Sequence, residues 1–393
     1  MKTAQLKKYA KLIAKMGLNV KKGQSVFIQA GLDQPEFVAM VVEECYKAGA
    51  KAVYVDWSYQ PVGKLNAVYR SLETLSDLSC RLFIESEDPD GMAGIDQEKM
   101  SKARRAQYPQ LKPFRDAIEN RHQWCIAAVP GKAWAKKVFP ELSEKKAVEK
   151  MWKVILYTAR ADGKNPVKDW KEHNADLEKR CNYLNSLGLN YLEYKSSNGT
   201  DFRVELNEDG LFCGGDEKTL KGRVFNPNIP SEEVFTSPKA GAAEGIVYAT
   251  KPLSYQGQLI ENFSVRFTNG RVSEVKAEKG EELLKQMVSM DEGAAMLGEC
   301  ALIPYDSPIN NSGVLFYNTL FDENASCHLA LGHGFNECLK GYENYTNEQC
   351  KEHGVNDSMI HVDFMIGSKD MSIVGVTKDG DRVQIFKDGN WAF

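Results

Sequence analysis

Apolar residues recur at three- and four-residue steps at the start of the chain. Leu6, Tyr9, Leu12, Ile13 and Met16 would line one face of a helix over residues 1–16. A run of strand character follows at 25–30. Phe37, Met40, Val41, Cys45 and Tyr46 then return to the helical period over 35–48, with Gly49 as the stop. Residues 51–57 (KAVYVDW) read as a second strand. Strand, helix and strand with short connections predict a parallel sheet with helices packed on it. The pattern continues with strands at 81–85 and 124–129. A helix is expected at 97–121, interrupted near Pro109 and Pro113, with further helices at 144–159 and 164–187.

From Asn190 the period changes to two. Residues 191–194, 201–206 and 263–267 alternate apolar and polar side chains. Turn sequences such as Ser197-Asn198-Gly199 and Asn269-Gly270 separate such runs. A helix at 281–290 interrupts, and strands at 371–376 and 382–386 close the chain. The predicted fold class is α/β. An N-terminal α/β domain with a mainly parallel sheet (1–187) precedes a mostly antiparallel, β-rich α+β domain (188–393) that carries the candidate metal ligands.

Composition narrows the function. A chain of 393 residues, 42% hydrophobic and 26% charged, can bury a core in each of two domains. The net charge is −4, with Lys and Arg scattered, which argues against nucleic acid as partner. Nine cysteines without a CxxC pair fit a reducing, cytoplasmic setting. The first residues lack the apolar core of a signal peptide, and no apolar run is long enough to span a membrane. Ala30-Gly31-Leu32-Asp33-Gln34-Pro35 follows the first strand and is not a dinucleotide fingerprint, and no phosphate-binding loop occurs. The α/β domain therefore reads as a structural layer that walls a cleft or supports an oligomer interface.

Residues 327–367 hold four of the six histidines: His328, His333, His353 and His361. In His361-Val362-Asp363 the imidazole and carboxylate would project from one face of a strand, ~7 Å apart along it. Val362, Phe364 and Ile366 would face the other way. Such a strand can hold a divalent metal. Two acidic segments could complete the ligand set. One is Ser231-Glu232-Glu233-Val234-Phe235-Thr236, and the other is Gly298-Glu299-Cys300-Ala301.

Together these segments resemble the metallo-aminopeptidase T/S family, the leucyl aminopeptidase T or thermophilic metallo-aminopeptidases. Asn-x-Pro-x-x-Glu-Val-Phe-Thr-x-Pro is matched from Asn228 to Pro238, and Gly-Glu before a small apolar run at Gly298-Glu299. Asp322-Glu323-Asn324 with His328-Leu329-Ala330-Leu331-Gly332 comes next, and His-x-Asp-x-Met-Ile-Gly is matched from His361 to Gly367. The resemblance spans the chain. It implies a homodimeric exopeptidase acting on peptides with a free N-terminus. It also implies two divalent metal ions (zinc, with cobalt or manganese as alternatives) held by Glu233, Glu299, His328, His361 and Asp363. Three carboxylates and two neutral imidazoles carry about −3, a set suited to two divalent ions better than one. Paired ions lower the pKa of a water and polarise a carbonyl. Glu299 or Glu232 would move the proton from water to leaving amine.

The family's hydrogen-bonding tyrosine, seven residues after the first histidine, is replaced by Phe335. Tyr342 or Tyr345 from the following loop, or the metals with another donor, would take over its role. Two other readings stay open: a catalytically weak or silent metal-binding relative, and an amidase on the same centre. His333 and His353 read as surface or packing residues, Glu323 as orienting a neighbour or capping a turn. Strand alternation turns Cys300 and Cys327 into the core.

Overall fold

A computed structural model of the chain describes residues 3–32, 35–59 and 80–393. Asp33 and Gln34 of the first loop lie outside the described residues. The chain forms two compact units, Met1–Asp77 and Leu78–Phe393.

In the first unit the strands Ser25–Gly31 and Ala52–Ser58 pair in parallel, joined through the helix Pro35–Lys47. The expected N-terminal helix is Thr3–Leu12, continued by a π-helical turn at Ile13–Gly17. Its buried positions are Ala10 and Ala14, which pack with Val26, Val41 and Cys45. Leu12 and Met16, expected on the inner face, stand exposed. Alanine four residues from alanine lets a neighbouring helix approach closely, which larger side chains at those positions would prevent.

The second unit opens with another parallel pair, Arg81–Glu85 with Trp124–Ala128. The helix between them, Gln97–Ile118, runs unbroken through Pro109 and Pro113, contrary to the expected interruption. Both prolines sit on the exposed face, so water can take up the carbonyls their missing N–H groups release. A short helix unforeseen in the pattern, Lys132–Val138, precedes Glu144–Thr158 and Pro166–Ser186. Ala147, Met151 and Ile155 of Glu144–Thr158 bury against Trp134, Phe316 and Phe321.

The chain turns strand-rich at Leu189. One large antiparallel sheet runs in spatial order Leu253–Tyr255, Gln258–Thr268, Pro238–Tyr248, Asp201–Leu206, Leu189–Lys195, Ser372–Thr377, Arg382–Lys387 and Asn390–Trp391. Arg271–Lys279 also pairs with Gln258–Thr268. A second antiparallel sheet has the order His361–Met365, His328–Gly332, Leu297–Leu302 and Val234–Thr236. The two sheets share one core: Leu329, Leu331, Val362 and Phe364 from the smaller meet Leu192, Val204, Phe263 and Val265 from the larger. Burying a whole face of the four-stranded sheet leaves its other face to chemistry.

Candidate metal centre

Register decides which side chains meet on that other face. Ala330 stands opposite Asp363 on one side and Glu299 on the other. Gly332 stands opposite His361, and Ala301 opposite His328. Glu299, His361 and Asp363 thus face a residue with little or no side chain, and His328 does so on one side with Met365 on the other. Glu233 enters from the residue before Val234–Thr236. The inward-pointing Val362, Phe364 and Ile366 lie in the shared core, as the alternation predicts.

Two triads of ligand atoms result: Glu233, Glu299 and His328, and Glu299, His361 and Asp363, each within 4.8 Å of one another. His361 Nε2 is 3.2 Å from both Glu299 Oε2 and Asp363 Oδ1. His328 Nε2 is 3.6 Å from Glu233 Oε2 and 3.8 Å from Asp363 Oδ1. Both imidazoles are oriented from behind. His328 Nδ1 donates to the Glu323 carbonyl at 2.8 Å, and His361 Nδ1 to the His333 carbonyl at 2.7 Å. An Nδ1–H committed to a carbonyl aims Nε2 at the carboxylates, so that a metal ion replacing the proton there would meet its lone pair.

The electrostatics match a cation site. Burial, and then the Glu299 and Asp363 charges, push Glu233 well above the usual carboxylate range. Burial and then Asp363, Glu233 and Glu299 do the same to Glu323. Burial would also raise Asp363 and lower His361, but Asp363 and Glu299 lift His361 well above the usual imidazole range, and the charged ring this favours without a cation holds Asp363 at about 2. Asp363 Oδ1 is nonetheless buried with no hydrogen-bond partner. An orphaned carboxylate oxygen beside two imidazoles aimed inward through Nε2 fits a divalent metal ion.

The centre opens on a cavity of about 710 Å³, entirely within the second unit. Glu323, read as an orienting residue, does orient His328 through its backbone, and its carboxyl group also lines this cavity. Its proximity to the ligands depends on a turn that no local pattern shows. His333 lines the cavity and acts on His361 through its carbonyl, while His353 stacks on Tyr345 at 4.5 Å. Phe335 lines the cavity with its ring 4.9 Å from that of His361. Tyr342 and Tyr345 do not line it; they pack against Leu339, Cys350 and Val355. Among the described residues the tyrosine that does line it is Tyr108, whose hydroxyl donates to the Ser358 carbonyl at 3.2 Å. Glu232 is turned away from the ligands, and Arg160 grips both its oxygens.

Buried carboxylates and inward imidazoles at the wall of a cavity make a candidate centre for divalent metal. The thermophilic metalloprotease (M29) family model matches residues 2–391. Aminopeptidase AmpS of Bacillus subtilis is 40% identical, covering 99% of this chain and 98% of its own length. Aminopeptidase T of Thermus thermophilus is 38% identical over 98% of both chains. The solved structure of wild-type AmpT from Thermus thermophilus superposes with a TM-score of 0.73 at 36% identity, covering 99% of each chain. The chain belongs to the thermophilic metalloprotease (M29) family.

Proposed function

We propose that this metallo-aminopeptidase works with two divalent cations and removes the N-terminal residue of short peptides. The observation that carries the proposal is the sharing of Glu299 between two ligand triads. Glu233 and His328 would complete one ion's shell, and His361 and Asp363 the other's. With Glu323 the site offers four carboxylates, whose formal −4 balances two divalent ions. When bound, paired ions lower the pKa of a water and polarise a carbonyl. The protein's own groups do the rest. His328 and His361 are fixed in the metal-binding tautomer by backbone carbonyls. Of the two acids considered for moving the proton, Glu232 has both oxygens engaged by Arg160, and Glu299 could serve only through an oxygen that does not hold an ion. Tyr342 lies away from the cavity wall, and Tyr108, which lines it, could donate, where Phe335 cannot, only by giving up the Ser358 carbonyl.

Mixed nitrogen and oxygen ligands suit zinc, with cobalt and manganese as alternatives. All nine cysteines are free, in keeping with a cytoplasmic enzyme. Among the described residues no helix is long and apolar enough to cross a membrane. We extend the proposal to a homodimer and to a domain boundary near residue 187. The test is metal content per chain together with cleavage of Leu-, Lys- and Arg-terminated peptides, with and without chelator. One ion per chain at full activity would refute the paired centre. Equal cleavage of amine-blocked substrates would point to an amidase. A catalytically silent relative is favoured by Phe335 alone, and metal binding without peptide cleavage would establish it.

A further inference from the structure

Two glutamates stand side by side at the edge of the centre, and only one faces the ligands. Chain direction alone does not settle which. Arg160 donates to both oxygens of Glu232, with Nη2 to Oε2 at 2.8 Å. The Glu232 side chain is 5% exposed. The backbone around it is gripped from two further sides. His173 Nε2 donates to the Ser231 carbonyl at 2.7 Å, and burial lowers the His173 pKa, which keeps the ring neutral for that role. The Glu232 N–H donates to Asn324 Oδ1 at 2.7 Å, and Asn324 Nδ2 donates in turn to the Leu320 carbonyl at 3.1 Å and to Glu323 Oε1 at 3.3 Å.

Arg160 itself is held where an arginine is unfavourable. It follows the helix Glu144–Thr158 with φ +52°, the left-handed region that suits glycine at a helix end. Its N–H donates to the Tyr157 carbonyl, and Trp170 Nε1 donates to the Ala159 carbonyl at 2.7 Å, which closes the turn. The turn needs nothing from the side chain at 160. The guanidinium's contacts are with Glu232.

We propose that Arg160, supported by His173 and Asn324, is a positioning residue for the metal centre: it captures Glu232 so that Glu233 alone is presented to the ions. A buried carboxylate released from its guanidinium must take up a proton or find another cation; His173, 3.9 Å from Glu232 Oε2, is kept neutral by burial, which leaves an ion held by the adjacent Glu233 as the competing partner. The inference rests on the paired-ion reading above.

The test titrates metal-free wild type, Arg160→Gly and the double variant Arg160→Met/Glu232→Gln with Co²⁺. Affinity, stoichiometry and the visible ligand-field spectrum are read alongside circular dichroism. Glycine suits the φ at 160, so Arg160→Gly should fold. It should bind Co²⁺ ~10–100-fold more weakly, the usual effect of losing an outer-sphere partner, with an altered spectrum. The double variant has no stray charge to capture and should return to within ~3-fold of wild type with the wild-type spectrum. Should Arg160→Gly not fold, Arg160→Asn, which also tolerates the positive φ at 160, takes its place with the same expected outcomes. Wild-type affinity and spectrum in Arg160→Gly overturn the inference, as does a folded double variant that binds 10-fold or more weakly. Wild type that binds no Co²⁺ overturns the metal centre, and this inference with it.

Discussion

Glu217 offers a sharp test of the cavity's electrostatics. It sits on the two-residue strand Glu217–Lys218 and lines the cavity. Burial, and then the Glu337 carboxylate, raise its pKa from 4.5 to about 8. Among the described residues nothing lowers it in return. The folded protein therefore binds a proton here that the unfolded chain releases between pH 4.5 and 8. Stability from this group is fully present below pH 4.5 and is lost as pH rises through 8. At ~1.4 kcal/mol per unit the ceiling is ~5 kcal/mol. Glu217 is only partly buried, and the cavity admits solvent, so about 2 kcal/mol is the working figure. Glu217→Gln keeps the shape and abolishes the titration. Thermal unfolding of both proteins from pH 4.5 to 9 should give coincident midpoints at the acidic end. Above pH 8 the variant should melt higher by ~4 °C, at ~2–4 °C per kcal/mol for a domain of this class. Replacing Glu337 with Gln in wild type should narrow that gap, because one of the two causes is gone. Parallel melting curves across the whole range would show that Glu217 is charged without cost, and the reasoning would fail.

Three other outcomes can be checked. Glu299→Gln removes the acid shared by both triads, so metal content should fall below one ion per chain and peptide cleavage by ~10³-fold or more. Retention of full metal in a folded Glu299→Gln protein would contradict the shared-ligand arrangement. Chelation at neutral pH should make the protein take up protons, since burial, and then the neighbouring carboxylates, hold Glu233 and Glu323 well above the usual range without cations. An indicator dye reads this, and no uptake would count against the site. In Gly298→Ala a Cβ would meet the His333 carbonyl oxygen at 2.2 Å, the same atom that orients His361. Overpacking of this kind costs ~1–3 kcal/mol. Weakened metal binding should accompany it; a variant that is destabilised but binds metal normally would separate His361's orientation from that carbonyl.

Much of this was legible in local pattern. Period-two alternation correctly separates His361 and Asp363 from Val362 and Phe364, because a sheet with one buried face enforces it. The parallel pairs follow from strand–helix–strand spacing. What local pattern misreads are cases where surroundings override propensity. Pro109 and Pro113 do not break their helix, because both lie toward solvent. Leu12 and Met16 are larger and more apolar than Ala10 and Ala14, yet the alanines are buried, since close helix packing selects size over hydrophobicity. Tyr342 follows Phe335 closely in sequence but turns into a separate apolar cluster, and Tyr108 reaches the cavity from a distant helix.

The same contrast explains the centre itself. Each ligand type announces itself, but the choice between ligand and neighbour is made elsewhere. Glu232 and Glu233 are chemically identical, and their separation depends on Arg160, 72 residues before Glu232 in the chain. His328 and His333 are both imidazoles near the cavity. One contributes its ring and the other its carbonyl, because Gly298 and Gly332 let the chain at 333 approach the end of Leu297–Leu302 closely. On the proposed reading, a side chain is free to hold an ion only where the protein does not already satisfy it. The buried Asp363 Oδ1, which nothing satisfies, marks the direction in which that accounting points outward to a cation.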